Sequence, residues 1–256
     1  MPTAIKLQAE YGEDLQVLFI ESQGAKADKA ERFALDMGWL GGRAMWTTSP
    51  PFSTGLGGLP SSVLLSAEGE VLLVGMNSSI GGKIEDEIEA WAKAKKRLPK
   101  DMPSDLKKAW TYYQKGKLAK ALVELDELQA EGGEVGASSV ELANRIEAGV
   151  ESRLKSISWM LNNGFPADAK DSLDRLAADV EDHEAFTGRC SELQARFGAE
   201  DIVLELKAAK AFAKLEKKML KDGADEKLAK KFAKLATEFA GTKVAARASH
   251  NAELMN

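Results

Sequence analysis

The residues able to do chemistry are few and scattered. A single cysteine, Cys190 in TGRCSELQARFG, cannot close an intrachain disulfide or form a dithiol couple. The spacing around it predicts a partly buried helical position rather than a nucleophile. His183 in VEDHEAF and His250 in RASHNAEL stand far apart with no ligand spacing around them. Both are assigned to helix surfaces, and no metal site is expected. GLGG (Gly55–Gly58) lacks a following Lys-Ser/Thr and opens no helix, so it is not a phosphate loop. No catalytic residue, metal or cofactor is therefore predicted from the residues themselves. What does stand out is Leu59-Pro60, placed at the mouth of the apolar run SSVLLS and followed by the turn AEG and a second run, EVLLVG. The arrangement is suited to presenting strand-end backbone to a partner.

The elements that must position this dipeptide follow from the pattern on either side. MPTAIKLQAEYG reads as a helix with Pro2 in its first turn and Gly12 as its stop. Leu15–Ser22 (LQVLFIES) is a short apolar run of the kind buried on both faces of a sheet. ADKAERFALDMG predicts a helix with Ala30, Phe33, Ala34 and Met37 on its inner face and Gly38 as its cap. RAMWTT predicts a short strand, and SPPFSTGLGG a loop. SSVLLS and EVLLVG make an antiparallel hairpin about Gly69, which is free to take a positive φ. A helix carrying Ile84, Ile88 and Trp91 on one face closes the section. The order is that of an α/β layer plan.

From Pro99 onward no strand is expected. Three stretches echo one another: Gly116 with Ala121, Leu125 and Leu128; Gly164 with Ala169, Leu173 and Leu176; Gly223 with Leu228, Phe232 and Leu235. Each glycine is placed to turn the chain between two helices, and each apolar set lines one helical face. The expected organisation is an α/β domain at 1–98, a linker at 99–105 with two prolines, and an all-α helical-hairpin domain at 106–256.

Composition excludes several classes. The 256 residues carry 35 basic and 40 acidic side chains, a net charge of −5, and give no general pull toward nucleic acid or anionic lipid. The lysines between Lys207 and Lys234 are read as a solvated helix face, because Phe212, Leu215 and Met219 mark the buried side and no aromatics interleave. No run of about 18 apolar residues is present, so no membrane span is expected. The first residues are polar and amphipathic rather than a signal peptide. The compartment is left open: cytoplasmic as the sequence stands, or exported if a signal lies upstream.

GGLPSSVLLSAEGEVLLVG resembles the thioredoxin-like superfamily, in particular its redoxin and TlpA-type branch. The resemblance aligns Pro60 with the family's cis-proline, Leu59 with the residue before it and Gly69 with its turn glycine, and it extends over residues 2–98. It implies thiol–disulfide exchange on extended polypeptide or thiol proteins. The expected substrate margin comprises Leu59, Pro60 and Ser61, with Trp46 beside them on the approach of the long loop. The family's Cys-x-x-Cys, and the strand leading into it, are not in this sequence, and MPTAIKLQAEYG looks like the continuation of the helix after that motif. In the family fold the missing strand lies mid-sheet, between the strands matching Leu15–Ser22 and Val63–Ser66, so its loss leaves two apolar strands with open edges. Either the sequence is an incomplete copy of a longer protein, or the domain has lost catalysis and serves as a peptide-binding scaffold. Ala109–Leu128 (AWTYYQKGKLAKALVELDEL) looks like a tetratricopeptide hairpin, but the glycine echoes are unevenly spaced where that family repeats at about 34 residues. A protein partner on this helical array is a further expectation of the likeness.

Overall fold

The computed structural model describes residues 2–12, 15–39, 44–47, 54–58, 60–66, 69–95 and 97–256. The chain divides into two compact units, Met1–Arg97 and Leu98–Asn256.

The first unit is a small α/β region. It runs α1 (Pro2–Tyr11), β1 (Phe19–Glu21), α2 (Ala27–Asp36), β2 (Ala44–Trp46), β3 (Ser61–Leu65), β4 (Val71–Met76) and α3 (Asn77–Lys95). β1 and β2 pair in parallel, with Phe19 opposite Ala44 and Glu21 opposite Trp46, and α2 forms the crossover between them. β3 and β4 pair antiparallel about Gly69, which has φ +87°, and their register shifts between Leu64 and Leu65. These two pairs are separate sheets. Ala30, Ala34, Leu35 and Trp39 are buried on the α2 side, Ile80 and Ile88 on α3. Gly75 of β4 is packed so closely that an added Cβ would lie 2.3 Å from Ile80 Cγ2. A glycine here lets α3 fold back onto the hairpin that precedes it.

Two expectations for this unit are corrected. The apolar run Leu15–Ser22 contributes only three residues to a strand, and it is not buried on both faces: Leu18 is 53% and Ile20 37% exposed. Leu18 and Ile20, two residues apart, share one face of the strand, and that face is left open among the described residues. On α2, Ala30 and Ala34 are buried as predicted, with Leu35 beside them, whereas Phe33 and Met37 are exposed. There the helix faces an opening instead of a second layer.

The second unit is a set of helical hairpins. After a 3-10 turn (Ser104–Leu106) come α4 (Lys107–Gln114), α5 (Leu118–Gln129), α6 (Gly133–Asn162), α7 (Pro166–Asp179), α8 (Glu184–Arg196), α9 (Glu200–Asp222), α10 (Glu226–Glu238) and α11 (Lys243–Met255). The three echoed glycines stand at the α4–α5, α6–α7 and α9–α10 corners, with φ of +69°, +80° and +87°. A left-handed residue lets a helix stop and reverse within two or three residues, and only glycine takes that conformation without Cβ strain. The apolar positions after each glycine are buried, with Leu128 partly so. The 30-residue α6, about 45 Å long at 1.5 Å per residue, carries one buried stripe: Leu142, Ile146, Val150, Leu154, Ile157 and Leu161. Leu98 and Met102, in the stretch around the two prolines, pack against this helical core.

The last helices are fixed by polar groups as well as by burial. The Glu205 carboxylate accepts the backbone N–H groups of Lys243 and Val244, capping the start of α11 from α9. The Arg247 guanidinium lies 4.0 Å from the Phe165 ring centroid and 4.6 Å from that of Phe212, and it donates to the Gly164 carbonyl at 2.6 Å. One side chain thus ties α11 to the α6–α7 corner and to α9.

Candidate functional site

The first unit holds a groove of about 1170 Å³ between the two sheets. Its walls are β1 with the residues before it, β2, and β3; β4 takes no part. α2 and α3 close it from behind, through Ala30, Ala34, Ile84 and Ile88. Phe19 and Trp39 stack inside it with ring centroids 3.9 Å apart and planes 8° from parallel. Phe33 meets the Trp39 ring edge-on at 5.4 Å.

Trp46, Pro60 and Ser61, the expected substrate margin, all line this groove. Leu59 lies outside the described residues. Trp46 and Ser61 are half-buried and Pro60 is exposed. The sequence reading missed Phe19 and Trp39 as a pair and gave the inner face of α3 only a packing role. Two aromatics some twenty residues apart carry no pairing signal; the βαβ crossover brings them together.

The groove is nearly uncharged. Glu21 and Lys29 are the ionisable side chains among its described lining residues. The Glu21 carboxylate is engaged by the backbone N–H groups of Gln23, at 2.6 Å, and Ala25, at 3.2 Å. Just before β1, the Val17 peptide is bonded by side-chain amides: Gln8 Oε1 accepts its N–H at 3.1 Å, and Gln16 Nε2 donates to its carbonyl at 3.1 Å.

Cys190 is 1% exposed, inside the core of the helical unit. Burial pushes its thiol pKa above the ordinary value, while Arg153 and Arg189 pull weakly the other way. That suits a packed small residue and opposes thiolate chemistry. His183 departs from the solvated-surface expectation: its ring stacks on Phe186 at 4.6 Å, and Nδ1 is buried without a hydrogen-bond partner. His250 is exposed on α11. Among the described residues no helix is long and apolar enough to cross a membrane.

No family model, no curated protein and no solved structure matches the chain.

Proposed function

We propose that the first unit is a thioredoxin-like module of the thiol–disulfide oxidoreductase class, handling extended polypeptide at the margin formed by Leu59, Pro60, Ser61 and Trp46. The observation that supports this most is the convergence of Trp46, Pro60 and Ser61 on one largely apolar groove beside β3. Extended polypeptide is bound at such margins by backbone hydrogen bonds, with adjacent pockets selecting side chains. The helical unit then serves as a platform for a protein partner, in the manner of hairpin arrays. The one thiol of the chain is buried in that unit, so a disulfide exchange cycle needs a dithiol from outside these residues.

A second reading is favoured by that burial: the chain binds polypeptide without exchanging disulfides and acts as a scaffold. An insulin-reduction assay with dithiothreitol separates the two. Reduction of insulin by the added dithiol that the chain speeds, and its Cys190→Ser variant speeds equally, supports exchange served by an outside dithiol. Background turnover together with retained capture of reduced insulin B chain supports the scaffold. Absence of capture, or capture indifferent to Trp46→Ala and Pro60→Ala, overturns the proposed margin.

A further inference from the structure

Resting on the reading of the helical unit as a platform for a protein partner, we propose that the outer face of α9 docks an acidic helical segment of that partner. This face is a single stripe of lysines. Lys207, Lys210, Lys214, Lys217, Lys218 and Lys221 recur at helical spacing, and at 100° per residue they fall within an arc of about 100°. All six are exposed. The opposite side of the helix, with Ala208, Phe212 and Met219, is buried. From first lysine to last the stripe is about 21 Å long at 1.5 Å per residue.

Three observations point to this occupant. First, the stripe has no counter-charge of its own. Among the described residues its six lysines form no ion pair, and the acidic side chains of α9 serve elsewhere. Glu200 and Asp201 stand in the first turn, Asp222 is the last residue, Glu205 caps α11, and Glu216 lies 3.9 Å from Arg247. Other exposed lysines of the unit are matched one turn away, as Lys170 is by Asp174 and Lys230 by Glu226. Like charges three and four residues apart on a helix repel, and a row of carboxylates laid along the stripe relieves that repulsion. Second, the spacing suits a helix. A facing helix advances by the same 1.5 Å per residue, so acidic residues at the same intervals stay in step with the lysines along the whole stripe. An extended chain, at about 3.3 Å per residue, does not. Third, the surroundings select a short polypeptide over a longer polyanion. The stretch 207–221 holds six basic residues and one acidic in a chain whose net charge is −5. A nucleic acid or an anionic membrane extends past the stripe and meets a molecule that is acidic on balance, whereas a segment of the stripe's length does not. The stretch also offers no arginine fork for phosphate, and its one aromatic, Phe212, is buried and unavailable for stacking on a base. Val203 and Leu204, 36% and 40% exposed and one turn before Lys207, add an apolar contact at one end.

The test uses the full chain and a fluorescein-labelled, end-capped, alanine-rich peptide whose six glutamates repeat the spacing of the stripe, with leucine at one end. The control probes are the same peptide broken by central prolines, a short DNA duplex, and vesicles of phosphatidylcholine and phosphatidylserine. Binding is read by anisotropy for peptides and duplex and by co-sedimentation for vesicles, at low and at physiological salt. The expected result is saturable peptide binding that weakens as salt rises. It falls about tenfold in the double variant Lys210→Glu, Lys214→Glu and several-fold in the uncharged pair Lys210→Gln, Lys214→Gln, which stands in should charge reversal disturb the fold. It is nearly unchanged in Lys107→Glu, Lys115→Glu, the same change of net charge placed on α4. Equal binding of the proline-broken peptide, tighter binding of duplex or vesicles, or absence of peptide binding overturns the proposal. Peptide binding that falls with the α4 pair but not with the α9 pairs overturns the stripe and leaves the platform reading standing. Duplex or vesicle binding that falls with the α9 pairs, without any peptide binding, overturns the platform reading as well.

Discussion

Phe19 and Trp39 lie face to face, 3.9 Å between ring centroids, and this stack joins the first residue of β1 to the segment that leaves α2. It is the main aromatic contact of a unit whose β1–β2 sheet is only three residues long on each strand. Trp39 is 7% exposed. Trp39→Ala removes the stack and opens a cavity, a change that costs about 3–5 kcal/mol in well-packed cores. The expected outcome is loss of cooperative unfolding of the first unit, followed by near-ultraviolet circular dichroism, with the helical signal of the second unit preserved. Trp39→Phe should recover most of the loss.

Gly75 and Ile80 make a second, independent test of the same unit. A methyl group at Gly75 would overlap Ile80 Cγ2, an atom close to the α3 backbone with little freedom to move. Gly75→Ala is expected to destabilise the unit by about 1–3 kcal/mol, the usual cost of overpacking. Gly75→Ala combined with Ile80→Val, which leaves Cγ2 in place, should rescue little, whereas combination with Ile80→Ala should rescue measurably more of the thermal midpoint.

Much of this architecture was legible in the sequence. The helices of the first unit, the hairpin about Gly69 and the three glycine corners of the helical unit follow from apolar periodicity and from positions that only glycine occupies cheaply. The reading failed where a residue's surroundings depend on an element elsewhere in the chain. Leu18, Ile20, Phe33 and Met37 have the composition of core residues, and they are exposed because nothing packs over that side of β1 and α2 among the described residues. His183 failed for the opposite reason: the acidic residues beside it look solvated, but Phe186, three residues on, comes under the ring at the start of α8. The Arg247 tie was invisible in sequence, since its partners at 164, 165 and 212 come from other helices.

Glu216 gives the helical unit a pH response. Burial raises its carboxyl pKa above the ordinary 4.5, with Arg247, at 3.9 Å, pulling it down and Asp168 adding to the rise. A carboxyl with a raised native pKa binds its proton more tightly folded than unfolded, so its stabilising contribution is full at low pH and fades as pH rises through the native value. Glu216→Gln fixes the neutral form. The melting temperature of the variant relative to the parent should therefore rise between pH 4 and pH 7. A relative fall over that range would show that the Arg247 attraction outweighs desolvation.

Cys190 should be silent toward thiol reagents. Its position in the α8 core predicts slow labelling by a disulfide-exchange dye in native protein and rapid labelling once urea unfolds the chain. Cys190→Ala should cost little, being a small-for-small change, and should leave groove binding unaltered. Fast native labelling would contradict the buried assignment.

The measurement that bears most directly on the central claim is capture of reduced insulin B chain by the full chain and by its Trp46→Ala and Pro60→Ala variants. The account predicts saturable capture that each substitution weakens several-fold. Capture indifferent to both substitutions, or its absence, would contradict it.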